Sequence, residues 1–497
     1  MAIYGNRCTC CSNCHSVPAN IRSEWLVPPK ISGRLNEEHL KDMNNSRTRL
    51  IGAVVLVSLG ALGVTGCGGD NSSASASGGA PNGQGKTLDV LVGANTNKAD
   101  QFKAWQAHIA DAFKKQTGAD LKFETFANAN DELSKIQTSV VAGQGPDVYA
   151  VGTTFTPTAY STDAFVKFDS NMWNKVGGRD RFVPATLGIS GPDTQNEVGV
   201  PFTSRPYVLA YNTELFKKAG LDKPAATWDG LLDQAKKLTT GSTYGFATGY
   251  ADNYTPWKFA WAMANQAGNP LVDGKTARID DPTVLKAYET YFGWLTKDKV
   301  VNPAAVGWND TQAAADFAAG KSAMMLMTTA SSKVTFDASA VKGKYAYAVM
   351  PTVPPGQSSA PAGGQPVSSI ISGDNLVIAK YSENQDLAAA YIKLLTSEDE
   401  QTNYNKLFGD LPTNAAAAKK VQDADRSLAP IIDSASKSKT TPFTGAWGDI
   451  QLALTNVVVQ SRPDLGNGSF NETNLKASLA KAQKDAQASL DRASANK

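Results

Sequence analysis

The chain has 497 residues, 42% of them hydrophobic, with 48 basic and 46 acidic side chains and a formal net charge of +2. That length holds two to four domains, and the near balance of charge leaves no basic footprint for nucleic acid. Of five cysteines and three histidines only Cys67 and His108 lie beyond residue 66, which argues against a histidine-ligated metal, a Ser-His-Asp triad and a Cys-His pair, and leaves carboxylate-pair chemistry open.

Residues 1–42 contain Cys8-Thr9-Cys10-Cys11-Ser12-Asn13-Cys14-His15. The spacing matches no common pair of zinc knuckles, and a metal domain ahead of a secretion signal makes no topological sense. Met43 stands just before Asn44-Asn45-Ser46-Arg47, so translation is expected to start there and residues 1–42 to be a mis-called extension. Arg47 and Arg49 then precede the uncharged apolar run Leu50–Val64, followed by Thr65-Gly66-Cys67. Basic, apolar and small residues in that order are the pattern of a signal peptide, here 43–66. The run is 15 residues long, against the ~20 that span a bilayer. Val64-Thr65-Gly66-Cys67 resembles the bacterial lipobox, which implies acylation of Cys67 and removal of everything before it. Beyond residue 66 there remain 41 basic and 42 acidic side chains, a net charge near −1. Residues 67–86 are almost wholly Gly, Ser, Ala, Asn, Pro and Gln and read as a flexible tether.

Thr87–Gly93 alternates and is β-branched, predicting a first strand. After a polar loop, Gln101–Gln116 places Phe102, Trp105, Ile109, Ala112 and Phe113 at helical spacing, with Thr117-Gly118 as the stop. Leu121–Phe126 is a second strand, Asp131–Ala142 a second helix closed by Gly143-Gln144-Gly145, and Pro146–Val151 a third strand. Strands alternating with helices predict βαβ units and a parallel sheet.

The following stretch carries a resemblance. Gly199-Val-Pro201 leads through an aliphatic run to Tyr211-Asn212, then Leu215-Phe216 to Ala219-Gly220-Leu221, then Pro224-Ala-Ala-Thr227-Trp228. Gly145-Pro146-Asp147-Val148 precedes it; Phe317-Ala-Ala-Gly320-Lys321-Ser-Ala323-Met324, Asp374–Ala379 with Asp386–Leu395, and Leu411-Pro412-Thr413 follow. Together, over about 87–460, these resemble the solute-binding proteins of bacterial ABC transporters, carbohydrate-binding branch. The resemblance implies an α/β, two-lobed periplasmic-binding-protein-like fold whose discontinuous lobes are joined by crossing hinge strands. Lobe one would be 87–205 plus 322–340, and lobe two 206–321 plus 341–497. The crossings would lie near Pro201–Tyr207, Met324–Thr329 and the 340s–350s. It further implies a monomer without cofactor or catalysis, anchored outside the cell membrane by lipid on Cys67, with a sugar ligand and an ABC permease and its ATPase as partners.

A neutral sugar needs Asp, Asn, Glu or Arg for paired hydrogen bonds and aromatic planes for its C–H faces. Ligands of open α/β sheets lie beyond the carboxyl ends of strands, which selects Asn95 and Asn97, Thr153 and Thr154, and Thr328 and Thr329. In the resembled family an aromatic at the start of a lobe-two helix stacks on the sugar, and the spacing fits Trp257 and Trp261 equally. Trp308 sits in a polar loop before a helix, and Trp447 resembles a late aromatic that lines the cleft. Trp105, Trp228 and Trp294 read as packing. Arg205 at the crossing either clamps hydroxyls or forms an inter-lobe salt bridge, with the cleft favoured; Asp374-Asn375 begins a strand at the mouth or forms a turn. The competing readings are a receptor for a peptide, polyamine or phosphate ester, and a two-carboxylate carbohydrate hydrolase.

Overall fold

The computed structural model describes residues 80–252 and 254–495; the extension, the signal peptide and Cys67 lie outside them. The strands in chain order are β1 (Thr87–Gly93), β2 (Asp120–Phe126), β3 (Val148–Gly152), β4 (Val200–Ser204), β5 (Val208–Asn212), β6 (Tyr244–Ala247), the ribbon β7 (Val272–Asp273) and β8 (Thr276–Ala277), β9 (Ser322–Thr328), β10 (Tyr345–Ala348), β11 (Ser369–Ile370), β12 (Gly373–Ile378), β13 (Leu411–Pro412) and β14 (Ser438–Lys439). They build a six-stranded sheet, β13-β4-β12-β3-β1-β2, and a four-stranded sheet, β10-β5-β9-β6, while β11 pairs with β14 and β7 with β8.

The first lobe follows the sequence pattern closely. Leu88, Val90, Leu91 and Val92 are all buried, because β1 is a central strand covered on both faces, parallel to both β2 and β3. The helix Ala99–Thr117 lays Phe102, Trp105, Ile109 and Phe113 on the sheet. It stops at Gly118, whose left-handed φ of 77° lets its N–H close on Lys114 O. The helix Ala129–Ala142 starts at Asn128, whose side chain accepts the N–H groups of Asn130 and Asp131.

Lobe membership departs from expectation in two places. β9, placed above in lobe one, pairs with β5 and β6 in the second sheet, and the helix after it, Ser332–Asp337, adds Phe336 to that lobe's core. Every residue of β9 is buried, so its apolar run fits a central strand of either sheet, and only the pairing decides. Conversely β12, placed above in lobe two, lies antiparallel between β3 and β4. The helices Gln385–Leu395 and Glu398–Phe408 follow it into the lobe-one core. The chain therefore crosses at Arg205–Tyr207, again just before β12, and a third time between β13 and the helix Ala429–Ser436, not near Met324–Thr329 or the 340s–350s.

The second lobe is built around tryptophan. Trp228, Trp257, Trp261, Trp294 and Trp447 are each 2% exposed or less and share one cluster with the two C-terminal helices, Trp447–Asn467 and Glu472–Ala495. The end of the expected tether is seated: Gly83 is buried, its N–H bonds Thr117 O, and a Cβ there would meet Ala119 and Leu387.

Candidate solute-binding cleft

A cavity of about 400 Å³ lies where the two lobes meet at the crossings. Its first wall is the carboxyl edge of the lobe-one sheet. Asn95 caps the turn after β1 by accepting Lys98 N–H at 3.1 Å, and Asn97, Thr153 and Thr154 also line the cavity. Glu132, in the first turn of its helix, reaches across to β3 and accepts Gly152 N–H on Oε1 at 2.6 Å. The residue is 2% exposed, and burial pushes its carboxyl up to about 8 against the opposing pull of that N–H.

The floor is one guanidinium at the crossings. Arg205 Nε donates to Asp410 at 2.9 Å and Nη2 to Asp374 at 2.6 Å, while its backbone N–H bonds Ser372 O. Arg205 precedes the second lobe, Asp374 follows the return and Asp410 precedes β13, so one side chain ties the first two crossings to the segment that leads toward the third. Burial disfavours the Arg205 charge, but Asp374 and Asp410 outweigh it and hold the group protonated. Asp410 is held above its ordinary value by burial, with Arg205 opposing. Arg205 lines the cavity, as favoured, and its ion pairs run to Asp374 in β12 and Asp410 ahead of β13, both in lobe one, rather than across to lobe two.

The second wall comes from the turn before the helix Pro256–Gln266 and from the start of the helix Asp310–Ala318. Asp252 Oδ1 accepts the N–H groups of Tyr254 and Thr255 at 2.7 and 2.8 Å. Thr255 donates its hydroxyl to Asp310, whose carboxyl is pushed up to about 8 by burial and by the neighbouring Asp252. Lys258 is 6% exposed; its ammonium donates to the Tyr207 hydroxyl at 2.6 Å and has no carboxylate within 4 Å among the described residues. The Tyr254 hydroxyl is raised by burial and then by Glu132, Asp374 and Asp252, so it lies within the field of both walls.

Of the residues selected from sequence, Asn95, Asn97, Thr153, Thr154, Arg205 and Asp374 line the cavity. The others do not. Trp257 and Trp447 pack edge to face at 5.9 Å inside lobe two, and Trp261 is equally buried, because the helix carrying Trp257 and Trp261 is covered on all sides. Trp308 lies against the same core. Thr328 is buried in β9, and the Thr329 hydroxyl bonds Ser331. Asn375 is fully buried and donates to Thr156 Oγ1 and Ile189 O within lobe one. The exposed aromatic of the second wall is Tyr254, three residues before Trp257; a polar flank ahead of a proline-started helix was the available signal for it. Glu132, Asp252, Lys258, Asp310 and Asp410 were not selected either. An acid in a first helical turn, as Glu132 is, ordinarily needs no explanation beyond the helix dipole.

A second hollow of about 530 Å³ lies on the opposite face of the same crossings, since Ser204 and Pro206 line it while Arg205 and Tyr207 line the cleft. Its walls include the apolar Val183, Ile371, Leu411 and Val421 beside Lys419, Gln422 and Asp423. Among the described residues no group of three or more His, Cys, Asp or Glu is placed to hold a metal ion.

Residues 95–402 match the family model described as bacterial extracellular solute-binding protein. The diacetylchitobiose binding protein DasA of Streptomyces coelicolor is 25% identical over 415 residues, covering 82% of this chain and 91% of that one. The sn-glycerol-3-phosphate-binding periplasmic protein UgpB of Yersinia enterocolitica is 27% identical over 348 residues, covering 62% and 71%. Among solved structures, a solute-binding protein of Agrobacterium radiobacter in complex with ribitol superposes with a TM-score of 0.68 at 22% identity, covering 82% of this chain and 99% of that one. Maltose-bound MalE3 of T. maritima superposes with a TM-score of 0.66 at 20% identity, covering 80% and 99%. These superpositions show the two-lobed α/β fold of solute-binding proteins.

Proposed function

Because the chain belongs to the bacterial extracellular solute-binding protein family, we propose that it is the receptor of an ABC importer that binds a sugar or oligosaccharide between its lobes and closes on it by hinge motion. The observation that carries this reading is the inter-lobe cavity itself, with Asn95, Asn97, Thr153, Thr154, Arg205 and Asp374 converging on it beside the Tyr254 ring. Side-chain amides and hydroxyls that both donate and accept, carboxylates that accept, and an aromatic face match a polyol's hydroxyls and C–H surface. What the relatives bind supports the same class: a disaccharide derivative for DasA, ribitol and maltose for the two structural neighbours. The phosphate ester bound by UgpB fits less well, since among the described residues five carboxyl groups and two cations, Arg205 and Lys258, line the cavity.

The lipobox-like Val64–Cys67 supports attachment outside the cell membrane by lipid on Cys67, within reach of a permease. No helix among the described residues is long and apolar enough to cross a membrane. A thermal-shift screen of the purified protein against sugars, peptides, polyamines and phosphate esters tests the solute class. Saturation about 1,000-fold above Kd adds about 4 kcal/mol, a rise of several kelvin. A response to peptides or phosphate esters alone would overturn the sugar reading. Mass spectrometry of the membrane-bound protein checks for a diacylglyceryl group at Cys67 and loss of residues 50–64.

A further inference from the structure

We propose that the cleft takes a saccharide bearing a protonated amine, seated against the free carboxylate oxygen of Glu132. This rests on the sugar-receptor reading and narrows its ligand.

Charge and geometry carry it together. Glu132, Asp252, Asp310, Asp374 and Asp410 line one cavity with Arg205 and Lys258. Arg205 is already shared between Asp374 and Asp410. Glu132, Asp252 and Asp310 have no cation within 4 Å among the described residues, so each wall keeps carboxyl groups without a counter-ion. Lys258 acts on Asp310 at a distance and opposes the rise of its carboxyl, but makes no ion pair with it: its ammonium donates to the Tyr207 hydroxyl.

Glu132 is the decisive group. The residue is 98% buried, Oε1 is held by Gly152 N–H, and Oε2 has no hydrogen-bond partner among the described residues. Oε2 is not sealed in the core, because the residue forms part of the cavity wall. A buried carboxylate without a partner is costly, and a cation delivered by the ligand offsets that cost. The groups facing it across the cavity are Tyr254, Asp374 and Arg205; the first offers a weakly acidic hydroxyl and Arg205 is already engaged. A neutral polyol satisfies Oε2 by one hydroxyl and leaves the carboxyl protonated; an ammonium satisfies Oε2 and also holds Glu132 ionised. Burial pushes the empty-site carboxyl up to about 8, so an arriving ammonium displaces its proton, and binding near pH 7 releases protons to the buffer.

The test compares disaccharides that differ at C2: chitobiose with free amines, its N-acetylated form, and cellobiose, whose hydroxyl is the neutral near-isostere of the amine. Binding is measured by calorimetry on the intact protein at pH 7 in two buffers of different ionisation enthalpy. The expected result is roughly ten- to hundredfold tighter binding of the free-amine disaccharide, with proton release. Glu132→Gln keeps the acceptor for Gly152 N–H, so the fold is retained; in it the preference should fall below about threefold and the proton release should vanish. Equal or tighter binding of the neutral forms by the unmodified protein overturns this proposal and leaves the sugar receptor standing. No response to any saccharide overturns both. An amine preference unchanged in Glu132→Gln overturns the assignment to Glu132.

Discussion

Replacing Arg205 by alanine asks whether one guanidinium holds Asp374 and Asp410 together energetically beside the crossings. The backbone bond to Ser372 O survives the change, while the contacts to Asp374 and Asp410 are lost. Two carboxylates then remain side by side, that of Asp410 only 8% exposed. Breaking a fully buried pair costs about 3–5 kcal/mol. The Arg205 side chain is 31% exposed, and water entering the vacated space offsets part of the loss; about 2–3 kcal/mol is expected. Spread over the unfolding entropy of roughly 400 residues, that lowers Tm by about 2–4 °C. Calorimetry of ligand-free protein at pH 7.5 measures it. The pH dependence supplies the sign: Asp410 is already raised by burial and rises further without Arg205. A raised carboxyl destabilises the fold above its folded pKa and is relieved below it, so the deficit should shrink as pH falls toward 5. Arg205→Ala with Asp410→Asn removes one of the two opposed charges and should recover more than half of the loss. A Tm within about 1 °C of the parent at pH 7.5, or a deficit that grows on acidification, would refute the reasoning.

Three further outcomes are expected. Trp257→Ala should cost about 3–5 kcal/mol by opening a cavity in the lobe-two core, whereas Tyr254→Ala should leave Tm nearly unchanged and weaken solute binding by about tenfold; paired denaturation and titration experiments separate the two. Gly373→Ala should impair folding, since its φ is 142° and a Cβ would lie 1.9 Å from Thr203 O, and expression yield with circular dichroism reads this out. Glu132, raised from 4.5 to about 8, binds its proton more tightly folded than unfolded, so its contribution makes ligand-free stability fall as pH rises from about 5 to 8; Glu132→Gln should flatten that slope in urea unfolding across the range.

The local elements of lobe one were legible because periodicity and stop signals agree there. β1 was read to the residue, and Gly118 and Gly143 end their helices where glycine was expected to. Which sheet a strand joins was not legible. β9 and β12 are both apolar runs with a polar start, and exchanging them between lobes changes no local pattern, only partners distant in sequence. The same limit governs the cleft. Asn95, Asn97, Thr153 and Thr154 followed from one rule about strand ends. The tryptophans misled because ring size suggests a stacking platform while burial decides the matter. The helix Pro256–Gln266 is apolar enough to be covered all round, so its aromatic rings serve the core and the short polar turn before it serves the cavity. The charge of the cleft could not be assigned to any single segment. Glu132 belongs to a lobe-one helix, Asp252 to a turn and Asp310 to a helix start of lobe two, Asp374 to β12 and Asp410 to the approach to β13. Each taken alone is an ordinary cap or surface acid; only the fold places all five in one hollow with Arg205 and Lys258, and there burial raises Glu132, Asp310 and Asp410 together.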